Sequence, residues 1–306
     1  PAPAQRRAPH AVAHRVDERA HVAARPDIAA RGSQVLEEAA AHRRSLGLER
    51  ADLGGGPERA VGHVPAGATR DLSQLGGGEA ARVAHTMSHN RLGLMGHYYN
   101  GMLDIYSDTT LQCAIFGGHL EIVEVEDLAA LRREVTPTEI SARVADFRVQ
   151  FEVGPDCSEF ELERAARTSV ALDRLVSERN LGSMAYYHMG TGNPENEDTI
   201  SSIILGNSLL TARGIPVAGE YEVKNAQAMK IMDSFGVGGS FTEYYAMDWN
   251  EDVVLMGHDG PGHIAIAEGK IKVRPLDVYH GKVGRGLSVE MSVKHGPVTL
   301  LSVVED

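Results

Sequence analysis

Between Glu79 and Ser234 the chain alternates short apolar runs, most of them ending at glycine or a polar turn, with segments long enough to form helices. Strands that alternate with helices close as βαβ units around a mostly parallel sheet. Residues 79–89 read as a helix leading into the buried strand RLGLMG at 91–96, and 97–108 as a loop running into a helix. Further strands are expected at 113–117, 119–125, 182–190 and 216–220. Helices are expected at 127–135 with Asp127 as N-cap, at 159–180 with Phe160, Ala165, Leu172 and Leu175 near one face, and at 197–214 and 223–234.

After Gly236 the pattern becomes a series of short alternating runs punctuated by Gly or Pro, at 240–249, 252–259, 263–269, 271–280, 286–296 and 298–305. That is the signature of an antiparallel β domain. The last run reaches the end of the sequence with no closing element, so this domain is expected to be incomplete. The fold class expected is α/β: a central parallel-sheet domain over 79–235, followed by an incomplete antiparallel β domain over 236–306.

Residues 1–78 stand apart. They hold 17 Ala and 11 Arg but no Phe, Trp, Tyr, Met, Lys, Asn or Cys. With so little large apolar surface, an independent core is hard to build. A helix over 34–48 fits the local pattern, with loop or disorder around it. The segment reads as a disordered extension, a poorly packed helical domain or an out-of-frame translation of GC-rich DNA, and no function is placed in it.

The net charge of −12 argues against nucleic acid or an anionic membrane surface as partner. No run of 18 apolar residues and no signal peptide is visible. Two cysteines, Cys113 and Cys157, exclude a disulfide scaffold and make a reducing cytoplasm the default.

Three spots carry residues suited to chemistry. Glu220 follows an apolar strand in GEYEVKNA, at the strand end where open α/β sheets place ligands. Glu243 lies in GGSFTEYY, behind Gly238 and Gly239, and His258 follows DVVLM in GHDGPGH. Two carboxylates and an imidazole form a set suited to Mn²⁺, and also to Mg²⁺, Co²⁺ or Zn²⁺. Their spacings of 23 and 15 residues match no short metal motif, and a capping Glu or a solvated turn His is the plainer reading of each. His97, Asn193 in GTGNP and His263 are possible substrate contacts, although a surface loop and a simple turn account for the first two as well. No G-x-S-x-G elbow, P-loop, C-x-x-C pair or dinucleotide fingerprint is present.

The blocks RVAHTMSHNRLGLMGHYYNGMLDIYSD, GTGNPENEDTISSIILGNSLLTARGIPVAGEYEVKNA and GGSFTEYYAMDWNEDVVLMGHDGPGH resemble, in order, the L-arabinose isomerase and L-fucose isomerase superfamily, nearer the arabinose side. The resemblance spans about 79–306. It implies a metal-dependent aldose–ketose isomerase working through an enediol, with Mn²⁺ held by Glu220, Glu243 and His258. Glu220 and Glu243 would double as the proton-transferring pair. It also implies a small sugar substrate and a homo-oligomer whose sites form between subunits. The family's fourth ligand is a histidine in a block rich in Gly, Pro and paired His, and that block has no counterpart here. Residues 1–78 likewise do not resemble the family's Rossmann-like first domain. The alternative expectation is therefore an inactive isomerase fragment that retains only sugar or subunit binding.

Overall fold

A computed structural model describes residues 77–189, 192–277 and 285–305. The expected helix at 34–48 lies outside the described residues. Within them, α1 (Gly77–His89) leads into β1 (Arg91–Gly96), α2 (Thr109–Phe116) and β2 (His119–Val123). Three helices follow: α3 (Val125–Glu134), α4 (Pro137–Gln150) and α5 (Glu159–Arg179), with a two-residue β3 (Glu152–Val153) between the last two. Next come β4 (Ser183–Tyr187), α6 (Pro194–Ser201), α7 (Ile204–Ala212), β5 (Val217–Ala218) and α8 (Val223–Ser234).

Strands β2, β1, β4 and β5 form one sheet in that spatial order, and every pairing is parallel. The protein is thus an α/β fold built on a parallel sheet. Side chains alternate across β4 with the period of two that a strand imposes. Met184 and Tyr186 face the core formed with α3, α4, α5 and α7. Ala185 and Tyr187 face Ala226 and Met229 of α8. Helices therefore cover both faces, which is why β1 and β4 read as unbroken apolar runs. The α1, α2 and α8 helices share a third cluster around Met87, Phe116 and Phe235.

The remaining strands divide into two groups. β6 (Glu243–Asp248) and β7 (Val253–Gly257) make an antiparallel hairpin. β8 (Ala267–Asp277) and β9 (Arg285–Val293) pair antiparallel, but β3 joins β8 in parallel. The sheet is therefore mixed rather than purely antiparallel, and it takes a strand from each side of residue 236. Val273 and Leu287 from this sheet enter the main core.

Several local expectations are corrected. Residues 113–117 are not a strand but the last turn of α2 and its cap. Asp108 accepts from the N–H groups of Thr110 and Leu111 at 2.8 and 3.0 Å, and Gly117 closes the helix at φ 77°. A short apolar run alone cannot distinguish a strand from a buried helical turn. Asp127 is not the N-cap of α3. Glu124 holds that place, and Asp127 accepts from its N–H at 3.4 Å in a reciprocal capping box. Residues 197–214 are two helices, since the chain leaves the first at its C-cap Ser202 (φ −112°, ψ 15°) before the second begins at Ile204. Phe160 is exposed, while Ala165, Leu172 and Leu175 are buried as expected. Residues 263–269 open with a single 3₁₀ turn (Ile264–Ile266) before β8 begins. Residues 298–305 form no strand, although Leu301 and Val303 pack on the α1–α2–α8 cluster.

Helix α4 is an addition to the expected elements, and its start is written in T-P-T-E. Thr136 Oγ1 accepts from the Glu139 N–H, and Glu139 accepts from the Thr136 N–H at 2.9 Å. Those hydrogen bonds, with help from Arg174, hold the Glu139 carboxyl down to about 2, below its ordinary 4.5. A depressed carboxyl stabilises the fold at pH above its ordinary value and loses that contribution as pH falls toward 2. Thr136→Ala is therefore expected to lower Tm by roughly 2–4 °C at pH 7. The gap should narrow as the melt is repeated at successively lower pH. An unchanged gap down to pH 2 would show that the carboxylate adds nothing to the cap.

Candidate active site

The parallel sheet delivers β1, β4 and β5 to one edge with their carboxyl ends together, followed by His97, His188 and Gly219–Glu220. Gly96 makes this edge possible. Its φ is +90°, and a Cβ there would lie 1.9 Å from the Tyr187 carbonyl oxygen. With no side chain in the way, the His97 N–H reaches that same carbonyl at 3.0 Å.

Glu220 and Tyr221 are consecutive non-glycine residues in the left-handed region, with φ 51° and 63°. Each such residue costs about 1–3 kcal/mol and persists only where its surroundings enforce it. Here the Tyr99 N–H donates to the Glu220 carbonyl at 3.2 Å, the Tyr221 N–H to Tyr186 at 3.0 Å, and the Glu222 N–H to Gly219 at 2.8 Å. The Tyr98 ring packs edge-on against Tyr221 at 4.8 Å between centroids. The turn between β5 and α8 is thus clamped so that the Glu220 side chain is buried.

The β6–β7 hairpin brings in the other two residues. Its register sets Glu243 opposite Gly257, and His258 is the next residue. His258 Nδ1 lies 3.5 Å from Glu243 Oε2, and Nε2 lies 4.0 Å from Glu220 Oε2. Its side chain is only 6% exposed, against 9% for Glu220 and 33% for Glu243. The ring packs edge-on against Phe241 at 4.1 Å, and a Cβ on Gly260 would come within 2.3 Å of Nε2. The imidazole therefore sits in a slot cut to its size between two carboxylates.

Further charge gathers around it. Tyr245 hydrogen-bonds Glu243, and its hydroxyl is pushed up to about 12, first by burial and then by the charges of Glu243, Asp259 and Glu220. Two carboxylates flanking one imidazole, with the charge of Asp259 acting on the same tyrosine, favour a positive charge among them. Beside this group, burial drives the Glu222 carboxyl up to about 7, partly opposed by Lys224, and its Oε1 is buried without a hydrogen bond. Glu222 lies in GEYEVKNA, where its residue type and position do not distinguish it from its neighbours. Only its burial marks it, and a single sequence does not display that.

Glu220, Glu243 and His258 are brought together from β5, β6 and the end of β7. His97 lies at the rim, where Nδ1 donates to the Tyr98 carbonyl at 2.9 Å and Nε2 accepts from the Met189 N–H at 3.4 Å. His188 stands beside it, with ring centroids 5.7 Å apart. Asn193 is the N-cap of α6 and accepts from the N–H groups of Glu195 and Asn196 at 3.0 and 3.3 Å. His263 is buried against Gly238, and burial lowers its pKa.

In kind, the donors fit a divalent ion: two carboxylates and an imidazole whose ring nitrogens are both buried and make no hydrogen bond. In arrangement, no three His, Cys, Asp or Glu side chains among the described residues are grouped so as to hold a metal ion. The two ring nitrogens address different carboxylates, so a single ion bound to all three residues requires the imidazole to reorient. Among the described residues, no helix is long and apolar enough to cross a membrane. A scan against protein-family models finds no match for the chain, and no curated protein matches it.

Proposed function

We propose that this chain is a divalent-metal-dependent aldose–ketose isomerase of the L-arabinose or L-fucose type, acting on a small sugar in the cytoplasm as part of a homo-oligomer. The observation that carries the reading is the buried His258 imidazole set between the Glu220 and Glu243 carboxylates. Glu220, Glu243 and His258 would hold Mn²⁺, or Mg²⁺ or Co²⁺ in its place. When bound, such an ion supplies positive charge that stabilises the enediolate oxygens.

The chain's own groups account for the proton movements. Isomerisation takes a proton from C2 of the aldose to C1 and a hydroxyl proton from O2 to O1. One carboxylate serves the carbon-bound proton and the other the hydroxyl proton, which needs two acid–base groups on either side of the substrate. Glu220, clamped by its strained turn, is the better fixed of the two. Glu243 is more exposed and hydrogen-bonded to Tyr245. His97 and Tyr99 line the rim where the sugar would enter. The homo-oligomer is supported by the hairpin: Tyr244, Met247, Trp249 and Leu255 are all exposed, and a two-stranded hairpin is marginal without a partner surface.

The test is turnover of purified chain with Mn²⁺ on a panel of aldoses that includes L-arabinose and L-fucose. Ketose formation from at least one is expected, and none from any would overturn the reading. The present orientation of His258 favours a second reading, a binding protein without turnover. Calorimetry separates the two: tight Mn²⁺ binding that is lost in Glu243→Ala supports the enzyme, and no Mn²⁺ binding supports the protein without turnover.

A further inference from the structure

The β6–β7 hairpin leaves and rejoins the body of the protein through two short stretches, 238–242 and 258–263, and His263 ties them together. Its backbone N–H donates to Ser240 Oγ at 3.2 Å, which closes the base of the hairpin. The residue is only 3% exposed. Its ring fills a slot against Gly238, where φ is +73° and a Cβ would lie 2.6 Å from Nε2, so a glycine is what leaves room for the imidazole. The neighbouring Gly262 N–H donates to Ser208 Oγ of α7 at 3.1 Å, and Gly262 lies beside the Met291 sulfur of β9. The hairpin strands themselves bury little: every residue of β6 after Glu243 is exposed. A segment with so few buried contacts opens locally unless its base is pinned, and Phe241, His258 and His263 supply the buried side chains there.

The pin has a chemical weakness. Nδ1 of His263 is buried and makes no hydrogen bond. A neutral imidazole tolerates this, because one of its nitrogens can stay an idle acceptor. An imidazolium carries a hydrogen on both nitrogens and would bury a charge with one donor unmet. The surrounding groups offer little rescue. Asp233 of α8 is the charge that acts on the ring, and it is already paired with the buried Lys230 ammonium at 3.4 Å. Gly238, Ser240, Ser208 and Met291, which meet this loop from the other elements, carry no charge. Burial accordingly lowers the His263 pKa from 6.5, opposed in part by Asp233 and by the residue's own backbone.

We propose that His263 is a pH-sensitive peg: as a neutral ring it pins the base of the hairpin to the end of α8, and once protonated it leaves its slot and lets the hairpin swing away from the sheet edge. Glu243 and His258 then part from Glu220 whatever chemistry the three perform, so the device stands apart from the isomerase reading. The ring takes up its proton more readily outside the slot, so the pin holds fully above about 6.5 and weakens as pH falls.

Hydrogen exchange of the full chain, corrected for the intrinsic pH dependence of amide exchange, is the test. Between pH 7 and pH 5.5 an exposed imidazole with its ordinary pKa of 6.5 gains protons that the buried ring does not, which favours the open hairpin by about 8-fold. Protection of the 243–257 amides should therefore fall about 8-fold further in the parent than in His263→Gln, whose side chain occupies the slot without titrating. Equal falls in the two chains overturn the peg. Should His263→Gln fail to fold, titration of His263 in the unaltered chain, followed by NMR, decides together with the exchange data. A pKa below 6.5 with hairpin protection lost ahead of β4 supports the peg. A pKa at or above 6.5, or hairpin and β4 losing protection together, overturns it.

Discussion

If the proposed isomerase reading holds, Glu220→Gln is expected to lower turnover by about 10³-fold or more while the chain stays folded. The substitution keeps the size of the side chain and its left-handed backbone but removes the proton acceptor of the proposed reaction, and loss of a positioned general base costs about 10²–10⁴. It also removes one of two carboxylates that would hold the cation, so Mn²⁺ affinity should fall in parallel. Kinetics with saturating Mn²⁺ separate the two losses. If kcat recovers fully when the metal is raised, Glu220 is a ligand only. If kcat stays low, it moves protons as well. A folded variant with ordinary kcat at ordinary Mn²⁺ would remove Glu220 from the mechanism altogether. Relief of charge repulsion with Asp259 and Glu243 should leave the variant no less stable, and a thermal melt checks that the loss is chemical.

Gly96→Ala carries the largest expected effect on stability. The added Cβ would stand 1.9 Å from the Tyr187 carbonyl oxygen, a backbone atom that cannot swing aside, at a φ of +90°. Backbone strain of this kind costs about 1–3 kcal/mol before any clash is counted, so a total of roughly 3–4 kcal/mol is expected. That corresponds to a fall in Tm of about 10 °C. The His97 N–H bond to Tyr187 should break with it, loosening the rim of the site. A Gly96→Ala chain that melts with the parent would mean that β1 and β4 separate at this edge more readily than their register implies.

Much of the central fold was legible because its signals are local. RLGLMG is apolar throughout and ends at a glycine, and it is β1. VKNAQAMKIMDS has helix formers and no breaker, and it is α8 over the same residues. The errors fall where local cues compete. Residues 113–117 carry the apolarity of a strand, but Asp108 and Gly117 cap them into a helix. Ser201 and Ser202 sit inside a helical pattern, yet the backbone leaves the helix at Ser202 (φ −112°, ψ 15°).

The candidate site was legible in part. The 15 residues from Glu243 to His258 match no metal motif, yet they are what a hairpin of two short strands needs to bring its ends side by side. That relation could have been read from the runs 240–249 and 252–259. The meeting of Glu220 with His258 could not, since it depends on how the hairpin docks at the sheet edge. The burial that raises Glu222 is likewise a property of the packed chain. Asn193 shows the opposite case: its turn was visible, but the turn serves as a helix cap.

The position of Trp249 has a practical consequence. It is the only tryptophan in the chain and is 84% exposed beside the turn of the β6–β7 hairpin, already bathed in water when the protein is native. Its emission should hardly shift when the core melts, so intrinsic fluorescence is a poor thermometer for this fold. The same indole should respond by a blue shift and a change in quenching by iodide or acrylamide when another surface covers the hairpin, which makes it a built-in reporter of self-association.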